Sequence, residues 1–254
     1  MSPSLSIING RLLDPASSID GVADLHIAHG KIVAIGEPPV GFAAEQLIDA
    51  QGKCVIPGII DLNARLREPG QEQKGTIISE TTAAAHGGIT TVICPPDTEP
   101  VIDTPAVAEL IRRRAKQSAH ARVLSVGALT MGLEGRQLTE MAALRQSGCV
   151  AVSNARRPLE NNLVLKRAMG YAATWDIPLF VQPLDHSLAN SGCAHDGRVA
   201  NRLGLPAIPR SAETVAVAAL LELAEESGVR IHVQQISTAR AVEMLQQAQQ
   251  RGMR

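Results

Sequence analysis

GIIDLNARLREPG, residues 58–70, is the stretch on which the reading of this 254-residue chain turns. An apolar run from Val55 to Ile60 meets Asp61, and the chain then passes through Asn63, Arg65 and Arg67 to Pro69 and Gly70. This is the pattern of a buried strand ending in a polar loop. Five further apolar runs follow: ITTVIC from 89, RVLSVGAL from 122, CVAVS from 149, IPLFVQ from 177 and VRIHVQQI from 229. Runs this apolar are buried on both faces, as parallel strands are. The segments between them are helix-like. Thr104-Pro105 supplies a cap and a proline at the first helical position, and PAVAELIRRRA carries apolar residues at helical spacing. Gly87-Gly88, Gly148 and Gly228 each stand between a helix and the next strand, where a left-handed cap is wanted. Repeated βα units of this kind give a doubly wound sheet or a (β/α)8 TIM barrel.

Residues 1–54 read differently, as short strand-like pieces broken by Gly, Pro and Asp. VADLHIAHGKIVAIG alternates and turns at His29-Gly30, a hairpin signal. The expected organisation is a small β module over 1–54 and an α/β domain over 55–254. That domain holds six strand–helix units, whereas a closed barrel needs eight. Either the chain is part of a longer one or the sheet is open; the first is the expectation, because unpaired edges invite aggregation.

Composition excludes several classes. A net charge of −1 gives no pull toward nucleic acid or an anionic membrane surface. Aromatics make up 2 % of the chain, so stacking on bases or sugars is not its business. Cys54, Cys94, Cys149 and Cys193 form no CxxC and are expected as reduced core thiols of a cytoplasmic protein. MSPSLSIING lacks the features of a signal peptide. The longest apolar run, Val215–Leu221, is too short to span a bilayer.

The segment IPGIIDLNARLREPGQEQKGTIISETTAAAHGGITTVICPPDTEPVID, followed by GLPAIPRSAE and HVQQIS, resembles the dihydroorotase branch of the cyclic amidohydrolases. The resemblance implies a metal-dependent TIM barrel of the amidohydrolase type, here truncated to about six βα units, flanked by a small N-terminal β-sandwich that the 1–54 module matches. Active members of that family use zinc to open or close the dihydroorotate ring. Their metals sit on two histidines of the first strand, a carboxylate or carbamylated lysine of the fourth, and single histidines of the fifth and sixth.

At those positions this chain carries other residues. The first-strand pair reads Asn63 and Arg65, the fourth-strand position Asn154, the fifth Gln182, and the second histidine of the sixth-strand H-x-x-H reads Gln235 after His232. Asp97 replaces the asparagine of the family's PNT turn, while Arg67 keeps the arginine that grips the substrate carboxylate. Asn and Gln offer zinc only a neutral carbonyl oxygen, and a guanidinium has no lone pair to give. A bare cation about 4 Å from a divalent ion, at an effective dielectric near 20, is repelled by roughly 8 kcal/mol. The expectation is therefore a catalytically inactive dihydroorotase homologue without zinc or other cofactor, with Arg67 and Asp97 left from a substrate pocket. Arg65, Arg156 and Arg157 are candidates to pair with Asp61, Asp97 or Asp185 where the metals would sit.

Inactive members of the family associate with aspartate transcarbamoylase. The resemblance thus implies a structural subunit of that enzyme in pyrimidine biosynthesis, contacting its catalytic chain and further copies of itself. The alternative is an active zinc-dependent dihydroorotase or related cyclic amidohydrolase with a rebuilt metal site; a carboxylate-sensing regulator built on Arg67 is a third reading. The remaining histidines read as structural. His26 and His29 would point to opposite faces of a strand, His186 and His195 lie in the LDHSLANSGCAHDG loop, and His232 sits in a strand run.

Overall fold

The computed structural model describes residues 3–253. The chain divides into two compact units, Met1–Ile59 and Ile60–Arg254.

The first unit contains seven short strands: β1 (Leu5–Ile8), β2 (Arg11–Asp14), β3 (Ile19–Val22), β4 (Leu25–Ala28), β5 (Lys31–Ile35), β6 (Gln46–Asp49) and β7 (Cys54–Val55). They form a sheet of order β5-β4-β1-β6 and a smaller one of order β3-β2-β7. The β4–β5 hairpin turns at His29 and Gly30, whose φ angles are 53° and 72°. Positive φ at both central residues is what a two-residue hairpin loop needs to match strand twist. His26 is buried beneath it, with its ring nitrogens on Ser6 Oγ at 2.8 Å and the Gly36 carbonyl at 2.9 Å.

The run CVIPGIID, expected as one strand, is two. Cys54–Val55 pairs with β2 of the first unit, and only Ile59–Asp61, β8, joins the large parallel sheet. Pro57 has no N–H for a ladder and Gly58 no side chain to pack, so the run breaks there. The units accordingly meet at Ile59/Ile60 rather than at residue 54.

The second unit runs from β8 through α1 (Ile77–His86), β9 (Ile89–Cys94), α2 (Pro105–Ser118), β10 (Arg122–Ala128), α3 (Met141–Gln146), β11 (Cys149–Ser153), α4 (Asn162–Thr174) and β12 (Leu179–Val181). It continues through α5 (His186–Ala189), β13 (Ala194–His195), α6 (Arg198–Leu203), β14 (Ala207–Ile208), α7 (Arg210–Ser227), β15 (Ile231–Val233) and α8 (Ala239–Gln250). Six parallel strands form a curled half-barrel sheet of order β8-β9-β10-β11-β12-β15, one from each expected run. Among the described residues, β8 and β15 are each paired on one side only. The LDHSLANSGCAHDG segment, expected as plain loop, contains α5 and β13; Asp185 caps α5 by accepting from the Ser187 and Leu188 N–H groups.

Helix punctuation follows the sequence with two differences. Thr104 occupies the cap position of α2 but its side chain makes no capping bond, leaving Pro105 as the start signal. Of the Gly87-Gly88 pair, only Gly88 is left-handed, at φ 78°.

The strands alternate. Val92 and Cys94 of β9 pack outward with Ile77, Ile102 and Ile111, while Ile93 packs inward with Val126 and Ala151. Leu179 of β12 joins Met169 and Leu220 on the outer side, and Phe180 faces the inner cluster. Burial pushes the Cys94 thiol up to about 12 and that of Cys149 to about 11, so both stay protonated and inert. Cys54 and Cys193 are exposed, against the expectation of core thiols, because Cys54 begins the edge strand of the small sheet and Cys193 precedes the two-residue strand β13, both outside the main sheet. Among the described residues no helix is long and apolar enough to cross a membrane.

Candidate functional site

Asp61 ends β8 by accepting the Asn63 N–H at 2.9 Å, and the chain stays against β9 through a bond from the Ala64 N–H to the Ile93 carbonyl. Past this turn, Asn63 and Arg65 both line one small cavity over the carboxyl ends of the strands, together with Arg156, Gln182 and Gln235. It holds about 10 Å3, room for about one water. Gln235 reaches it from a left-handed backbone, φ 57°. The lining residues include no imidazole, thiolate or carboxylate, and among the described residues no group of three His, Cys, Asp or Glu side chains stands close enough to hold a metal. Asn63 Oδ1 is buried there without a hydrogen-bond partner.

Arg65 makes the pairing anticipated as one of several. Its Nε and Nη2 donate to Asp97 Oδ2 at 3.0 and 2.8 Å, with both side chains 29 % exposed. The loops carrying the two partners are held together close by. Gly70 lies against Glu99, where a Cβ would meet the Glu99 Cβ at 2.4 Å, and the Glu99 N–H donates to the Pro69 carbonyl. Arg67 does not enter the small cavity. It lies beside it, at φ 64°, donating to Gln71 Oε1 at 3.3 Å and sharing a second cavity of about 70 Å3 with Arg65, Asp97 and Thr98.

Asn154 departs from the expected arrangement. It is buried, and it is absent from the lining of the small cavity. Its Oδ1 accepts from Thr130 Oγ1 at 2.6 Å, and its Nδ2 faces the Arg157 and Pro158 carbonyls at 3.1 and 3.3 Å. The side chain ties down the turn after β11, with Ser153 and Ala155 at the cavity instead. A carboxylate at 154 would present oxygen to those carbonyls and lose both bonds. Asn154→Asp is expected to cost about 2 kcal/mol, lowering the melting temperature by roughly 5 °C. An unchanged thermal melt would contradict the role given to this amide.

His232 also stays outside the cavity lining. It packs on Phe180 with ring centroids 4.7 Å apart, and burial lowers its pKa below the ordinary histidine value, which favours the neutral ring. His186 and His195 stand on α5 and β13, away from the small cavity. Gln234, which also lines it, was not foreseen. Its only sequence signal is adjacency to Gln235.

Comparison with known proteins places this arrangement. Residues 52–241 match the family described as Dihydro-orotase-like. A dihydroorotase-like protein of Pseudomonas putida is 50 % identical over 250 residues, covering 98 % of this chain and 59 % of the relative. A dihydroorotase of Syntrophobacter fumaroxidans is 43 % identical over 96 % of this chain and 56 % of its own length. The chain thus spans under three fifths of the length of these relatives. Among solved structures, an L-hydantoinase (dihydropyrimidinase) from Arthrobacter aurescens superposes with a TM-score of 0.82 at 22 % identity, covering 99 % of this chain and 57 % of that one. That likeness concerns the fold.

Proposed function

This chain belongs to the dihydro-orotase-like family, and within it we propose a non-catalytic role: a structural subunit that assembles with the catalytic chain of aspartate transcarbamoylase, and with further copies of itself, in the cytoplasm. The observation that carries the reading is the Arg65–Asp97 ion pair beside the small cavity. Where active relatives would use imidazoles, this chain offers amides and a guanidinium already committed to a carboxylate. These residues do not fit zinc. Amide oxygens are weak donors for it, Arg65 can donate only protons, and Asn154 spends its side chain on backbone groups. No catalytic step is therefore assigned to the site. Arg67 and Asp97 remain as parts of a former substrate pocket.

A second reading has a specific observation in its favour: the relative from Syntrophobacter fumaroxidans carries the name dihydroorotase at 43 % identity. On that reading the chain is a zinc-dependent cyclic amidohydrolase with a rebuilt metal site. Size-exclusion chromatography of the protein mixed with aspartate transcarbamoylase tests the assembly role. A co-eluting complex of larger mass, with altered transcarbamoylase activity, is the expected result. Independent elution of the two at micromolar concentration overturns it.

A further inference from the structure

Beside the small site lies a much larger cavity, of about 560 Å3. It opens between the N-terminal half of α4 and the middle of α7, beside the turns that follow β11 and β12, and shares Ala155, Phe180 and Gln182 with the small cavity. Its volume is within the range of small-molecule sites, roughly 300–1,000 Å3. Ala216 and Ala219 of α7 line it, one helical turn apart, where larger residues would fill it.

The lining is of two kinds. Leu165, Phe180, Val181 and Val215 supply accessible apolar surface, while Leu129 and Leu220 are buried behind it. The polar lining carries Arg157, whose guanidinium has no carboxylate within ion-pair distance among the described residues. Asn161, the cap of α4, also lines the cavity, which places the positive end of a 13-residue helix there. Two carboxylates share the lining, but Glu160 lies in the field of Arg136 and Asp185 Oδ1 already accepts from two backbone N–H groups and the Ser187 hydroxyl. The uncommitted cation and the helix end favour an anionic head, and Leu165, Phe180 and the valines favour an apolar body.

We infer that this cavity is a ligand site for an amphipathic carboxylate, an aryl or alkyl acid whose apolar body lies on Leu165, Phe180 and Val215 and whose carboxylate pairs with Arg157. The site is independent of any metal and of the assembly role proposed above.

The test is a titration of methyl-labelled protein, followed by NMR, with 4-phenylbutyrate, 4-phenylbutan-1-ol and 4-phenylbutylamine. Saturable shifts are expected at the methyls of Leu165, Leu220, Val181 and Val215, with the carboxylate binding at least five-fold more tightly than the alcohol or the amine. Arg157→Gln, a change on an exposed side chain, is expected to remove that preference while leaving the alcohol's affinity unchanged. Ala219→Phe is expected to weaken all three ligands at least ten-fold. Absence of shifts at these methyls at millimolar ligand, equal or tighter binding of the alcohol or amine, or a carboxylate preference that survives Arg157→Gln overturns the proposal.

Discussion

Purified from cells grown with added zinc, the protein is expected to carry substoichiometric zinc and to turn over dihydroorotate no faster than a buffer control. The energetic reason shifts once Arg65 is seen in place. A bare guanidinium would repel the metal by roughly 8 kcal/mol, but Asp97 sits on it at 2.8 Å and cancels much of that charge at a distance. What decides the outcome is the donor set. Three side-chain amides and a protonated guanidinium reach the cavity from the positions where the family resemblance implies metal ligands, whereas a structural zinc site worth about 10–16 kcal/mol is built from deprotonated donors. Without the metal, a water keeps a pKa far above the value near 7 that a bound zinc ion gives it, and stays a poor nucleophile. The double change Asn63→His with Arg65→His is expected not to restore turnover. It supplies two ligands, leaves Gln182 and Gln235 in place, and strands Asp97 without its cation. Elemental analysis giving about one zinc per chain, together with hydrolysis above background, would sink the non-catalytic reading and favour the rebuilt metal site.

The second large effect is on stability, at Glu213. This buried carboxylate on α7 accepts four hydrogen bonds, from the N–H and hydroxyl of Ser237 at 2.9 and 2.6 Å and from those of Thr238 at 2.9 and 2.6 Å. Thr238 is in turn the cap of α8, accepting from the Ala241 N–H. One side chain thus pins the α8 entrance to α7, where Val217 and Leu221 pack against Ala241 and Ala248. Glu213→Ala leaves these donors without their acceptor and is expected to cost about 3–4 kcal/mol, since bonds to a charged group are worth about 1.5–3 kcal/mol each and are not additive. Glu213→Gln is expected to lose nearly as much, because its amide would turn N–H toward N–H. Urea midpoints of the variants check both.

The same residue carries a pH dependence. Burial pushes the Glu213 pKa up, but the bonds from Ser237 and Thr238 outweigh it, and the net shift is downward from 4.5. A depressed folded-state value means that the contribution is fully present above the unfolded value and is lost as pH falls through the lower folded one. The gap in urea midpoint between the parent chain and Glu213→Gln is therefore expected to be constant from neutral pH down to about pH 5 and to narrow below it. A gap that widens on acidification would show the sign to be wrong.

The six parallel strands were legible in the chain because each run is apolar on both faces and bounded by a cap or a glycine, signals that act within a few residues. The resemblance to the dihydroorotases singled out Asn63, Arg65, Gln182 and Gln235 near the strand ends, and the structure brings all four to one cavity. Local signals failed where the deciding contact is remote. Nothing near residue 154 indicates that its amide oxygen will be taken by Thr130, which lies on a different segment of the chain. Nothing near Pro57 reveals that the residues before it will pair with Arg11 and Leu12.

What the sequence by itself determined is the alternation of strand and helix and the hairpin at His29-Gly30, since these follow from residue type and spacing. Only the tertiary structure decided that Arg65 takes Asp97 rather than Asp61 or Asp185, that Glu213 anchors α8, and that a large cavity opens beside α4 and α7. Charge pairing and cavity volume depend on distances between segments far apart in the chain, and those are set by how the elements pack.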